Sequence, residues 1–106
     1  MLAELHYLAA TTAGADFEDV LDDPTLRRGL ERSLEILGEA AKAVPPDVRG
    51  RHPGIPWSDM ARMRDMLIHA YHRVEPAIVW KTATEDAAPL LELVERVTER
   101  ERLLTG

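Results

Sequence analysis

A chain of 106 residues suits one domain with a modest core, and its net charge of −6 argues against a dedicated nucleic-acid binder. The absence of cysteine excludes disulfides, thiolate metal sites and cysteine nucleophiles. The opening residues, Met1 to His6, lack the basic-then-apolar layout of a secretory signal, and no apolar run approaches transmembrane length; the expectation is a soluble, cytoplasmic protein.

Residues 1–12 are predicted to form a short helix, with Leu2, Leu5 and Leu8 or Ala9 as its apolar stripe and no capping residue ahead of Met1. Thr11 to Asp16, with Gly14, connects it to one helical turn over Phe17 to Leu21. Asp23-Pro24 then reads as a helix start, the aspartate as N-cap and the proline at the first helical position. From there Leu26, Leu30, Leu34, Leu37, Ala41 and Val44 recur at spacings of three and four, which predicts an amphipathic helix ended by Pro45-Pro46.

Residues 45–56 hold four prolines, two glycines, Arg49, Arg51 and His52, and are expected to be one extended loop. Such a loop beside a polar helix is either functional or a stiff connection. Pro56 opens the next helix, predicted from about Trp57 to Val74 and interrupted by Glu75-Pro76. A last helical stretch from Ala77 to Leu104 carries Ile78, Val79, Trp80, Leu90, Leu93, Val94 and Val97, and Pro89 must kink or split it. No strand pattern or repeat is present. The predicted fold is all-α, an up-and-down bundle of about four main helices.

Charge is unevenly spread. Residues 1–48 have 4 basic and 10 acidic side chains, residues 49–81 have 6 and 3, and residues 82–106 have 3 and 6. The middle third is the one basic part, so a local site for a phosphate-bearing ligand survives the global charge argument. Within it, residues 63–73 read Met-Arg-Asp-Met-Leu-Ile-His-Ala-Tyr-His-Arg. On a helical wheel with Arg64 at the origin, Tyr71, Ile68, His72, Asp65 and His69 spread over one arc, and Met63, Met66, Leu67 and Ala70 over the opposite, core-facing one.

Three uses of that polar face are open. It can be a solvated surface, with Asp65 and His69 a weak pair at i, i+4. It can bring Asp65, His69 and His72 toward a metal ion, although a good site needs further ligands from elsewhere. Or it can be catalytic: histidine moves protons near neutral pH, and arginine holds a phosphoryl oxygen and stabilises developing negative charge. A proton carrier and a cation suffice for RNA cleavage by attack of the 2′-hydroxyl on its own 3′-phosphate. Arg64 and His69 lie about 140° apart on one helix, too divergent to grip one phosphate easily. Two such helices crossing at a dimer axis would surround a common cleft with an arginine and a histidine from each chain, which points to a homodimer.

Arg64-x4-His69-x-Tyr71 resembles the R-x4-H-x-Y signature of the HepT-like branch of the HEPN superfamily. The flanking blocks agree over nearly the whole chain: residues 34–42 (Leu-Glu-Ile-Leu-Gly-Glu-Ala-Ala-Lys), Ile55-Pro56-Trp57 and Ile78-Val79-Trp80. The resemblance implies a single HEPN/HepT-like helical domain over residues 1–106 and a homodimer. It implies the toxin of a type VII-like toxin–antitoxin pair, a metal-independent RNA endonuclease with Arg64 and His69 catalytic, Asp65 and His72 supporting, and no cofactor. The implied partner is an MNT-type nucleotidyltransferase antitoxin that adds AMP to Tyr71. Members of the family usually have a longer first helix than this chain supplies. A non-catalytic module that binds nucleotide or the nucleotidyltransferase is the alternative.

Overall fold

A computed structural model of the protein describes residues 1–70 and 74–105, and among them every regular element is helical. The elements are α1 (Leu2–Ala13), α2 (Phe17–Asp22), α3 (Pro24–Ala43), α4 (Pro46–Arg51), α5 (Trp57–His69), α6 (Pro76–Lys81), a π-helical segment (Thr82–Asp86) and α7 (Ala87–Thr105). Four of them, α1, α3, α5 and α7, are long enough to make a bundle, and the all-α expectation holds. No helix among the described residues is long and apolar enough to cross a membrane.

Local chemistry accounts for the ends of these helices. Asp16 and Asp19 form a reciprocal capping box at the start of α2, each side chain accepting from the other's backbone N–H. Asp23 caps α3 by accepting from the amides of Thr25 and Leu26 at 3.0 and 3.2 Å, and Pro24 takes the first helical position. Pro76 does the same for α6. Pro89 has no N–H to offer the carbonyl four residues back. It sits one turn into α7, just after the π-helical segment, so the helix from Pro76 to Thr105 runs on through the proline with a widened turn instead of breaking. In that turn the Thr84 hydroxyl donates to the Trp80 carbonyl at 2.7 Å.

α3 is the organising element, packed along α5 and touching α1, α2 and α6, while α7 closes the bundle against α1. Leu30, Leu34, Leu37 and Ala41 form its buried stripe and meet Leu5 and Leu8 of α1, Met60 and Leu67 of α5, and Leu90 and Val94 of α7. Each such leucine contributes about 1.5–3 kcal/mol on burial. Two polar side chains on α3 are also buried, and both are satisfied: Glu31 accepts from Arg27 Nε at 2.8 Å, and the Ser33 hydroxyl donates to the Glu4 carboxylate at 2.8 Å. The second of these ties α1 to α3.

Three expectations are corrected. The segment 45–56 is not one extended loop, because Pro46 starts the short helix α4 after an extended Pro45. α5 ends at His69, not near Val74: Ala70 has left the helical region at φ −131°, with its N–H bonded to the Met66 carbonyl. Met66, placed on the core-facing arc by the wheel, is exposed, while Met60 and Leu67 are the buried residues of α5. Of the apolar residues of α6, Val79 takes the core position and Ile78 is exposed.

Candidate active site

The site grows from the close contact of α3 with α5. Gly38 is the reason they approach: a Cβ there would collide with Arg64 Cβ and lie 2.6 Å from the Met60 carbonyl oxygen. The stem of Arg64 therefore lies on α3, leaving the side chain only 25% exposed. This alters the expectation of a solvated arginine: Arg64 stands at the edge of a helix–helix interface, with its guanidinium at the rim.

Around that rim, α5 contributes Arg64 and Asp65, and α3 contributes Arg32, Glu39 and Lys42. Arg64 Nη1 donates to Asp65 Oδ1 at 3.0 Å, and Lys42 Nζ reaches the same oxygen at 3.2 Å. Glu39 Oε1 lies 3.9 Å from Arg64 Nε and 3.8 Å from Arg32 Nη1. Arg64 Nε is buried with no hydrogen-bond acceptor, since 3.9 Å is beyond bonding range. The hydrogen bond from Arg64, and then that from Lys42, hold the Asp65 carboxyl below the ordinary carboxylate range, so it is ionised at neutral pH. Its i, i+4 pairing with His69 was the expectation of a solvated face; the structure commits Asp65 to Arg64 and Lys42 instead.

His69 occupies the last turn of α5 and is exposed, as are its neighbour Ile68 and Met66. Tyr71 and His72, expected on the same face, lie outside the described residues, as does Arg73. Among the described residues no three His, Asp or Glu side chains are grouped as a metal site. Two cavities of about 440 and 540 Å³ are lined mainly by apolar side chains, and neither includes Arg64, Asp65 or His69. The charged cluster is a surface feature of one chain, open to a ligand from outside.

Lys42 and Glu39 received no role from sequence. The signal was available in Gly38: a glycine inside a run of helix formers marks a close backbone approach, and the polar residues beside it face whatever approaches. Arg51 and His52 of the 45–56 connection serve otherwise. Arg51 holds Glu101 of α7 at 2.6 and 3.2 Å, His52 Nε2 lies 2.8 Å from the same carboxylate, and Trp57 Nε1 donates to the His52 carbonyl at 3.0 Å. That clamp fits the stiff connection, not a functional loop.

The model of the "Ribonuclease HepT-like" family matches residues 1–97. A protein of Caldanaerobacter subterraneus subsp. tengcongensis named as an RNase is 39% identical over 102 residues, covering 96% of this chain and 91% of that one. A protein of Thermococcus cleftensis carrying the name of ribonuclease HepT is 48% identical over 81 residues, 76% of this chain and 74% of its own. A third, from Methanocaldococcus jannaschii and also named as an RNase, is 35% identical over 86 residues, 81% and 74% of the two chains. No solved structure matches the chain. An all-α bundle of HEPN type, matched by one family model from its first helix to the middle of its last and by relatives along most of their own length, leaves one conclusion: the chain belongs to the HepT-like family.

Proposed function

We propose that the protein is the toxin of a type VII-like toxin–antitoxin pair, a homodimeric RNA endonuclease of one HepT-like domain over residues 1–106 that works in the cytoplasm without a metal ion. The supporting observation is the placement, in a HepT-like chain, of Arg64 and His69 on one helix: the arginine anchored by its stem with its outer nitrogens at the rim, the histidine exposed. In this reading the substrate 2′-hydroxyl attacks the adjacent phosphorus and the bond to the 5′-oxygen breaks. His69 carries a proton between these oxygens, and Arg64 stabilises the charge that builds on the phosphoryl oxygens. Asp65 and His72 support the pair. Neither the attack nor the protonation calls for more than an imidazole and a guanidinium.

Control of the activity is assigned to AMP placed on Tyr71, two residues after His69, by an MNT-type nucleotidyltransferase. The modifier adds a phosphodiester anion that competes for the arginine and an adenosine that takes up space RNA needs. This reading predicts a neighbouring reading frame that encodes a small nucleotidyltransferase with Gly-Ser and Asp-x-Asp motifs.

The test is an RNA-cleavage assay with purified protein, with and without EDTA. The expected result is cleavage that persists in EDTA, leaves 2′,3′-cyclic phosphate ends, fails on a 2′-deoxy substrate and disappears in His69→Ala. Parental cleavage by His69→Ala would sink the catalytic assignment. No cleavage by the parent protein would favour a binding module.

A further inference from the structure

Asp65 Oδ1 is shared by two cations from different helices, Nη1 of Arg64 at 3.0 Å on α5 and Nζ of Lys42 at 3.2 Å on α3. Gly38 lets the two helices approach closely there, and the two cations meet at one oxygen atom. An oxygen of a phosphate makes the same demands as a carboxylate oxygen: a negative charge, lone pairs, and donors near 2.7–3.0 Å. Lys42 and Asp65 are each 47% exposed, so a ligand can reach this point from solvent, and their ion pair, in contact with water, is weak. Arg64 differs: it is anchored by its stem, and Glu39 stands behind its Nε, leaving the Nη end toward the rim. One anchored cation, Arg64, beside an exposed carboxylate in a weak pair with Lys42 is the arrangement in which the anion is the part that yields.

We propose that Lys42 and Arg64 form a two-cation cradle for one phosphate of the substrate RNA. Asp65 Oδ1 occupies the position of a phosphate oxygen in the free protein and is displaced when RNA binds. The inference rests on the RNA-cleaving reading of the same site, which it extends by a second phosphate-binding residue and by a carboxylate that competes with the substrate. The carboxylate then does two things. It keeps Arg64 and Lys42 from repelling each other in the empty site, and it lowers affinity for every polyanion by the work of moving it aside.

The probe is a labelled single-stranded 2′-O-methyl RNA, which lacks the attacking hydroxyl and so reports binding without cleavage, followed by fluorescence anisotropy over a range of salt. Lys42→Gln should bind roughly tenfold more weakly at low salt. It should also reduce the slope of log affinity against log salt by about 0.7, the value for one phosphate of a single strand left without its cation. Lys42→Arg should keep both. Asp65→Asn, which keeps the shape and removes the charge, should bind several-fold tighter than the parent. Parental affinity and slope in Lys42→Gln, or unchanged or weaker binding in Asp65→Asn, would overturn the cradle. Should Lys42→Gln fail to fold, as circular dichroism would show, the Asp65→Asn arm decides. Cleavage that requires His69 together with binding indifferent to Lys42 removes the cradle and keeps the enzyme. Lys42-dependent binding by a parent that does not cleave keeps the cradle and removes the enzyme.

Discussion

The Arg64 side chain lies against α3 with a quarter of its surface exposed, while His69, five residues on, stands in solvent at the end of the same helix. Truncating them should therefore have different costs. His69→Ala removes an exposed ring and should change stability by less than about 0.5 kcal/mol. Arg64→Ala also strips the aliphatic stem from the Gly38 contact and should cost on the order of 1 kcal/mol. Both should lower RNA cleavage by roughly 10²-fold or more, for want of a proton carrier or of a charge stabiliser. Thermal melts set beside cleavage rates separate the two effects, and Arg64→Lys, which keeps stem and charge but not the fork, should recover the stability without the rate. Tyr71→Phe removes the proposed AMP acceptor and nothing that the cleavage chemistry uses. That variant should still cut RNA yet gain no AMP mass on incubation with ATP, Mg²⁺ and the nucleotidyltransferase; intact-mass spectra showing AMP additions on it would exclude Tyr71 as the acceptor.

Between elements, two contacts set the geometry. The first is the α3–α5 approach at Gly38, where an added methyl group would meet Arg64 Cβ and the Met60 carbonyl, neither able to swing away. Gly38→Ala should cost about 1–3 kcal/mol through overpacking and should depress cleavage too, by pushing Arg64 off its seat. Gly50, in α4, has nothing within 4 Å of the same added atom and no positive φ. Gly50→Ala should instead stabilise by about 0.4–1 kcal/mol, so urea titrations of the two variants should move in opposite directions. The second contact is the clamp of α4 on α7. Arg51, and with it His52, hold the Glu101 carboxyl down from its ordinary 4.5 to about 2. A carboxyl whose pKa falls on folding gives stability that is complete above the unfolded value and fades as pH drops toward the folded one. The parent should therefore lose melting temperature faster than Glu101→Gln between pH 4.5 and 2, and the gap between them should close at the acid end. A gap that stays constant across that window would show that the Glu101 charge contributes nothing to folding.

At the scale of the whole molecule, periodicity and capping chemistry made the helices legible, because apolar residues at spacings of three and four and the Asp23-Pro24 start act locally. What escaped is set by neighbours far along the chain. The exposure of Met66 and the seating of Arg64 on Gly38 depend on how closely another helix approaches, which a wheel drawn for one helix does not contain. The proposed site was legible as residue types, Arg64 and His69, but not as an arrangement, since Lys42 and Glu39 approach Asp65 and Arg64 from α3. One chain also leaves it open: Arg64 and His69 diverge by about 140° around α5, and Ile68, on the arc between them, is exposed. A second α5 packed across a two-fold axis would cover Ile68 and bring the histidine of one protomer toward the arginine of the other. Mixing Arg64→Ala with His69→Ala tests this directly. If each site takes its arginine from one protomer and its histidine from the other, a mixed dimer has one site lacking both groups and one intact site. Random exchange makes about half the dimers mixed, so two inactive proteins should together regain about a quarter of the parental activity. No recovery after subunit exchange verified by native mass spectrometry would place both residues of a site on the same chain, and a monomer at micromolar concentration in sedimentation would exclude the shared cleft altogether.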